Sequence, residues 1–457
     1  MRILLTLSAS LLFIITPLIS AFADDVGIPK GSGPLPDLSR GARSGAVVTS
    51  QHIHLYRSLL PREVAQLSER GEFAFEAVKN PREPGKFFIA PGPTKSTLTG
   101  KALNGGEIVD PSGGKAMLSP LFEPPQVVGP DDQATAFKIL WNSSSLTWRH
   151  AYISASLTTL MFNSAESAAQ PNKLEFLVER IHPRLLGSEG IGTLEPIFRE
   201  RILARKPAAI SKLGWLTLRY FGSGEDFVWG SSPVIDQIRQ LTGSNRSDQI
   251  FTGIFAPDDL FVWSGKVELV EPSGLKLVPL LVPIFEVRGD RVVRDSSVSG
   301  CVGRVFSNGG AIDLNYEGQR FKGAGSWVPT GTVMALRWVW RIDLTGRDPF
   351  SLDARQTVYI DRDTGLPVYR VVWDNSGRLR KLVIGIVRAL DINDQRAEPF
   401  LGGEVIINGS GAGRLVLLVD RLNQCVGYPG SSVSMEDFDP GQFNPISIKG
   451  TENRVNS

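Results

Sequence analysis

Apolar and polar residues alternate with a period of two through much of the chain after about Thr135. The clearest case is Met334–Asp343. Met334, Leu336, Trp338, Trp340 and Ile342 fall on one side, while Arg337, Arg341 and Asp343 share the other with Ala335 and Val339. That spacing predicts a strand with one dry and one wetter face. Gln356–Ile360 and Val368–Trp373 follow, joined by Asp361-Arg362-Asp363-Thr364-Gly365, and Asp374-Asn375-Ser376-Gly377 leads on into Leu379–Val387. Asp, Asn and Gly between β-runs favour tight turns, so this stretch reads as a meander of hairpins. Upstream, Trp148–Leu157, Leu174–Ile181, Leu213–Phe221 and Leu260–Val270 are further predicted strands, and Pro196–Ala204 is predicted to be a helix packed across the sheet. The aromatic strand ends Phe227/Trp229 and Phe261/Trp263 flank a polar loop, Thr242–Asp248.

The first part of the chain has a different texture. Arg2, the apolar run Ile3–Ile19 and Ala21-Phe22-Ala23 have the form of a cleaved secretory signal, so the mature chain is expected to begin at Asp24 in the periplasm. The run is short for a spanning helix, no cysteine follows the cleavage box, and no later segment reaches the roughly 18 apolar residues of a membrane span. Asp24 to about Ser50 reads as an extended arm. A short helix starts at Leu60-Pro61, with Val64 and Leu67 on one face and Gly71 as its stop. Asn80 to about Pro130 is rich in Pro and Gly and reads as an irregular connection. Gly430–Ser457 is polar and loop-like, with Phe438 and Phe443 as anchors. The expected organisation is a signal (1–23), an N-terminal arm, helix and connection (24–134), one antiparallel β domain (135–450) and a tail (451–457).

Composition narrows the function class. The 457 residues carry 49 Lys+Arg against 47 Asp+Glu, without the basic surplus that nucleic-acid binding usually shows. Thirty prolines and 47 glycines suit a turn-rich β-protein. Cys301 and Cys425 are the only cysteines. Export would place them in an oxidising compartment, where they form either one long-range disulfide or two small buried side chains. Their separation excludes a C-x-x-C redox pair and a cysteine-rich zinc cluster.

Catalytic motifs are absent: no G-x-S-x-G elbow, no P-loop, no convincing G-x-G-x-x-G and no H-E-x-x-H occurs. His52-x-His54 would put two imidazoles on one side of a strand, yet no third ligand is near, so no metal and no cofactor are expected. His150 reads as a packing residue and His182 as a turn residue. Glu225/Asp226, Asp258/Asp259 and Asp361/Asp363 read as turn formers. Paired-carboxylate catalysis leaves no sequence motif, so a hydrolase stays open as a reading. The aromatic residues say more. Trp215, Trp229, Trp263, Trp338, Trp340, Tyr369 and Trp373, with Leu336, lie in predicted strands or at their ends, where ordinary core packing competes with lining an apolar ligand cavity.

The run Leu241-Thr242-Gly243-Ser244-Asn245-Arg246-Ser247-Asp248, followed by Pro257-Asp258-Asp259-Leu260, resembles a family of bacterial periplasmic proteins grouped with the outer-membrane lipoprotein-sorting carriers (LolA/LolB-like). Arg337–Arg341, the YIDRDTG turn ending at Gly365, the WDNSG hairpin ending at Gly377 and Phe438–Pro445 are similar to that family's later segments. The resemblance implies a curved antiparallel half-barrel wrapped around helical elements, with an apolar interior able to hold lipid. Asp236-Gln237-Ile238-Arg239-Gln240 departs from the family's Arg-rich segment, which puts in question any anionic headgroup site inferred from it. The family has no established catalytic residues, so none carry over. The leading expectation is a periplasmic, non-enzymatic carrier or chaperone for a lipid or lipid-modified protein. The alternatives are an accessory protein docking on an envelope transporter or outer-membrane protein, and a secreted hydrolase using paired carboxylates.

Overall fold

The computed structural model describes residues 47–78, 133–147, 151–163, 172–186, 195–232, 237–249, 255–285, 291–294, 301–307, 332–362, 364–388, 400–409 and 415–443. The signal segment, most of the N-terminal arm, the connection at 79–132, His150, Asp236 and the chain beyond Phe443 lie outside the described residues.

The N-terminal strands β1 (Val47–Val48) and β2 (Phe75–Val78) enclose helix α1 (Arg62–Glu69). Pro61 precedes this helix, and Gly71, at φ +74°, ends it as the sequence predicts. A second helix, α2 (Gln133–Thr147), was not expected from the sequence. The next strands are β3 (Tyr152–Asn163), β4 (Asn172–Ile181), β5 (Phe198–Lys206), β6 (Gly214–Arg219), β7 (Phe227–Ser231) and β8 (Ile238–Leu241). They pair in order as an antiparallel wing. After β9 (Val270–Phe285), β10 (Arg291–Arg294) and β11 (Cys301–Ser307) comes β12 (Thr332–Gly346). It is followed by β13 (Arg355–Asp361), β14 (Pro367–Trp373), β15 (Leu379–Arg388), β16 (Phe400–Asn408) and β17 (Leu415–Pro429).

Strands β12 to β15 form the predicted hairpin meander, which β16 and β17 extend. Strand β9 runs antiparallel along β12 and meets β15 in parallel at Val387↔Ile284, so β9, β12, β13, β14 and β15 close on one another. Strand β17 joins this closed part to the wing by pairing with β16 along its first half and with β3 along most of its length. Strand β11 takes over from β16 along the second half of β17. The protein is mainly β, and its described strands belong to one curved, almost wholly antiparallel sheet.

Two predicted elements are corrected. Pro196–Ala204 is not a helix but the approach to and body of strand β5. Leu260–Val270 is not a strand: Phe261 and Val262 take positive φ values of 57° and 67°, 3-10 turns at Pro257–Asp259 and Val267–Leu269 flank them, and the strand starts only at Val270. His52 caps and His54 lies within a 3-10 turn (Ile53–Leu55) instead of sharing a strand face, and both are exposed.

Among the described residues the apolar side chains form three clusters. The main core lies between the sheet and α1 and takes in Phe255 and Leu260–Val262 from the irregular segment. The second packs α2 through Ile139, Leu140 and Trp141 against Trp340, Ile342, Val358 and Ile360. The third lies on the outer side of the wing, where Tyr152, Leu203 and Leu216 are covered by Phe438 and Phe443, the anchors read from the sequence.

Candidate functional site

The polar loop Thr242–Asp248 folds into a 3-10 turn over Gly243–Ser247. Its start is fixed by Thr242, whose N–H and hydroxyl both donate to the Asn245 side-chain oxygen at 2.9 Å. Gly243 is required by close approach, because a Cβ there would stand 2.9 Å from Glu225 Cβ and 3.0 Å from the Asp226 nitrogen. The turn carries Arg246 into the interior.

There Arg246 meets a row of polar residues that β-register lines up across the inner face of the wing: Arg180 on β4, Glu200 on β5 and Thr217 on β6. Arg246 donates to Thr217 Oγ1 at 2.7 Å, to Glu200 at 3.4 Å and to Asp258 at 2.8 Å. Arg180 closes the other side of Glu200, donating at 2.6 and 3.1 Å. Beside them Arg219 grips Asp226 at 2.7 and 2.9 Å and reaches the carbonyls of Ser264 and Gly265.

A second cluster adjoins through Asp259. Its carboxylate accepts from Lys381 Nζ at 2.6 Å and from Arg370 at 2.9 Å. Arg370 also donates to Asp353, to Gln356 at 2.7 Å and to the Asp258 carbonyl at 2.9 Å. Arg380 completes Asp353 at 2.7 Å. Asp258 and Asp259 thus tie the wing to hairpins β13–β15 by a continuous ionic seam.

Burial alone would raise the Glu200 carboxyl, but Arg180 and Arg246 beside it hold it below the ordinary carboxylate range. Asp226 and Asp353 follow the same logic, held down against burial by Arg219 and Arg246 and by Lys381 and Arg370 respectively. Burial pulls the Arg180 guanidinium down to about 9 against the opposing pull of Glu200, so it stays charged at neutral pH. Each of these carboxylates is an ion-pair partner of the cations beside it. Among the described residues two carboxyls are raised by burial, Glu63 and Glu268, and the charged groups acting on them have no member in common.

A polar cleft of about 50 Å³ opens on the seam, lined by Arg219, Asp226, Arg246, Asp258, Lys266 and Asp353 among others. Pockets for drug-sized ligands run to roughly 300–1,000 Å³. This one suits water or a small ion. Among the described residues no group of three or more His, Cys, Asp or Glu is placed to hold a metal ion.

The aromatic residues singled out in the sequence are divided among the clusters. Trp215 and Tyr369 are buried in the main core, with Leu336 and Trp373 packed at its margin. Tyr369 donates to the Leu281 carbonyl and stands edge-on to Tyr359 at 6.1 Å. Trp263 and Trp340 lie in the second cluster against α2, and Trp229 packs on the third. Trp338 is half-buried on β12. Cys425 is buried and disulfide-bonded. Its strand pairs with β11, the strand that Cys301 opens, in a register that sets Cys425 opposite Val305 and Cys301 opposite Pro429. The two cysteines are therefore not a directly opposed pair, and the Cys301–Cys425 bridge stands as a proposal.

Sequence reading treated Asp258, Asp259 and Asp361 as turn formers. They are that, and more: each is an ion-pair partner of a buried or half-buried arginine or lysine. The seam had a faint signal in the charge-alternating strands Glu179-Arg180 and Arg199-Glu200-Arg201, whose charges sit where apolar residues are expected.

Three solved structures are similar to this chain. A domain named for outer membrane lipoprotein sorting, from Vibrio parahaemolyticus, matches 68% of this chain and 98% of its own at 12% identity and a TM-score of 0.43. A DUF1329 family protein from Desulfovibrio piger matches 68% of this chain and 98% of its own at 11% identity and a TM-score of 0.39. A LolA superfamily protein from Nitrosomonas europaea matches 66% of this chain and 97% of its own at 12% identity and a TM-score of 0.34. No family model matches the sequence, and no curated protein matches it significantly.

Proposed function

We infer that the protein is a periplasmic carrier or chaperone that holds a hydrophobic ligand, a lipid or a lipid-modified protein, without covalent chemistry. The observation that carries this reading is the cover of the main core. Among the described residues, that cover over the curved sheet is helix α1 with the 3-10 turns leading into it (Ile53–Leu55 and Arg57–Leu59) and the irregular segment around Phe255–Val262, and no long helix seals the face. Such a cover can yield to acyl chains, whose burial is worth roughly 25 cal/mol per Å². The ion-paired state of Glu200, Asp226 and Asp353 supports a binding role over carboxylate-dependent hydrolysis. The test is organic extraction of the purified protein followed by mass spectrometry. Co-purified lipid is expected, and a lipid-free protein that takes up no hydrophobic probe would sink the reading. Within it, Leu336 and Trp338 are proposed cavity-wall residues. A folded Trp338→Ala variant is expected to bind a hydrophobic probe more weakly than a comparably destabilised core variant.

A second reading, docking on an envelope protein, draws on the loop between β12 and β13. Phe350 is 77% and Leu352 49% exposed there, at the rim of the polar cleft. Replacing both with Ser would abolish capture of such a partner and leave probe binding intact.

A further inference from the structure

The segment that closes the main core has the chemistry of an amphiphile. Asp258 and Asp259 sit at one end, held by Arg246, Arg370 and Lys381. Leu260, Phe261 and Val262 follow at once, all buried in the main core. The sheet is shaped to receive them. Gly385 on β15 leaves room for Val262, whose Cγ2 would lie 2.6 Å from a Cβ at that position. Its register partner Glu404 on β16 accepts the Val262 N–H at 3.0 Å.

The backbone there is strained. Phe261 and Val262 are consecutive non-glycine residues in the left-handed region, and for a β-branched valine that conformation is a genuine outlier. Strain of this kind persists only where the surroundings over-determine it, and it collects at clamps and switches.

Resting on the carrier reading, we propose that Asp258–Val262 is an internal stand-in for the ligand, and that the ligand is an anionic single-chain amphiphile. Its head group replaces the Asp259 carboxylate at Lys381 and Arg370, and its chain takes the place of Leu260, Phe261 and Val262. Exchange of one anion for another keeps both buried cations fully paired, whereas simple withdrawal of the segment would leave Arg370 and Lys381 to share the Asp353 carboxylate. A neutral amphiphile offers no such compensation. The cation pair is a selectivity device in this scheme. It gives preference for charge, and the relaxed backbone of the released segment favours the loaded state.

The full mature chain is the material for the test, and amide hydrogen exchange over 255–266 is the readout, with palmitate, lyso-phosphatidylglycerol and monopalmitoylglycerol as probes. Palmitate or the lysolipid is expected to bind at least tenfold more tightly than the neutral glyceride and to raise exchange at Phe261–Trp263. Release by both anions assigns recognition to charge alone. Release by only one assigns it to a carboxylate or to a phosphodiester head group. Lys381→Gln should remove the preference and Lys381→Arg should keep it, while the wild-type exchange measurement decides the matter even if these variants misfold. Equal binding of charged and neutral probes with 255–266 still protected overturns the stand-in and leaves the carrier reading intact. Retention of the charge preference in folded Lys381→Gln overturns it as well. Binding of none of the probes overturns both.

Discussion

Arg246 and Asp258 meet at 2.8 Å inside the protein, each delivered by its own 3-10 turn. The arginine is almost wholly buried and also serves Glu200 and Thr217. Replacing it leaves the half-buried Asp258 without this ion pair and the buried Glu200 with Arg180 alone. Arg246→Leu is expected to cost about 3–5 kcal/mol in urea unfolding, the range for a buried pair broken on one side. A loss under 1 kcal/mol would show that water or rearrangement satisfies Glu200 without it.

The acidic members of the seam set a pH dependence. Glu200, Asp226 and Asp353 are held below their ordinary values when folded. Unfolded carboxyls titrate near about 4. The unfolded chain therefore takes up protons first as pH falls, so the contribution of these groups is complete above about pH 4 and is lost as pH drops through their lower folded values. Chemical unfolding between pH 7 and pH 2.5 should show a plateau and then a steep acid loss. Arg246→Leu should shallow that loss.

Gly385 and Val262 form a size-matched pair. Gly385→Ala would place its Cβ 2.6 Å from Val262 Cγ2 and 3.0 Å from the Pro367 carbonyl oxygen. Overpacking of this kind costs about 1–3 kcal/mol. Val262→Ala in the same chain should return part of that loss, and strict additivity in the double-mutant cycle would mean that the two residues do not press on each other.

Cys425 is disulfide-bonded, and Cys301 is the only other cysteine in the sequence. The denatured, unreduced protein is expected to titrate no thiol and to run as a monomer on a non-reducing gel. Two titratable thiols would refute the bridge, and a disulfide-linked dimer would refute its intramolecular form.

The hairpins from β12 to β15 were legible because their turns are written in local chemistry. Gly365 and Gly377 take φ values of 69° and 78°, and Asp374 caps its turn through Ser376 and Arg378. Strand β5 was misread because Phe198, Ile202 and Leu203 have a helical spacing. The true strand is buried on both faces, with Glu200 in the ionic seam on one side and Arg201 bonded to Glu179 and Asp437 on the other. Helix α2 is packed by Ala136, Ile139, Leu140 and Trp141 among short polar residues that blur its stripe. The kink at Phe261–Val262 is closed locally by Ser264, which donates to the Asp258 and Leu260 carbonyls, but its residue types do not announce it. It is imposed by Gly385, Glu404 and the cations around Asp259, which are more than a hundred positions away in sequence. The seam stayed hidden for a related reason: its charges are paired by strand register and by the folding-in of two turns, not by proximity along the chain.

Strand β17 stands at the junction of both parts of the sheet, yet it is the last of the described strands in chain order. Until it arrives, the wing can hold β3 by one side only, through β4. The other side of β3, twelve residues long, then presents free backbone amides and carbonyls for most of the time the chain takes to emerge. Pairings of such long sequence separation form slowly, and open strand edges invite a second chain. Assembly of this molecule is consequently a race between its own C-terminal strand and a neighbour's, which a chain ended before Leu415 always loses.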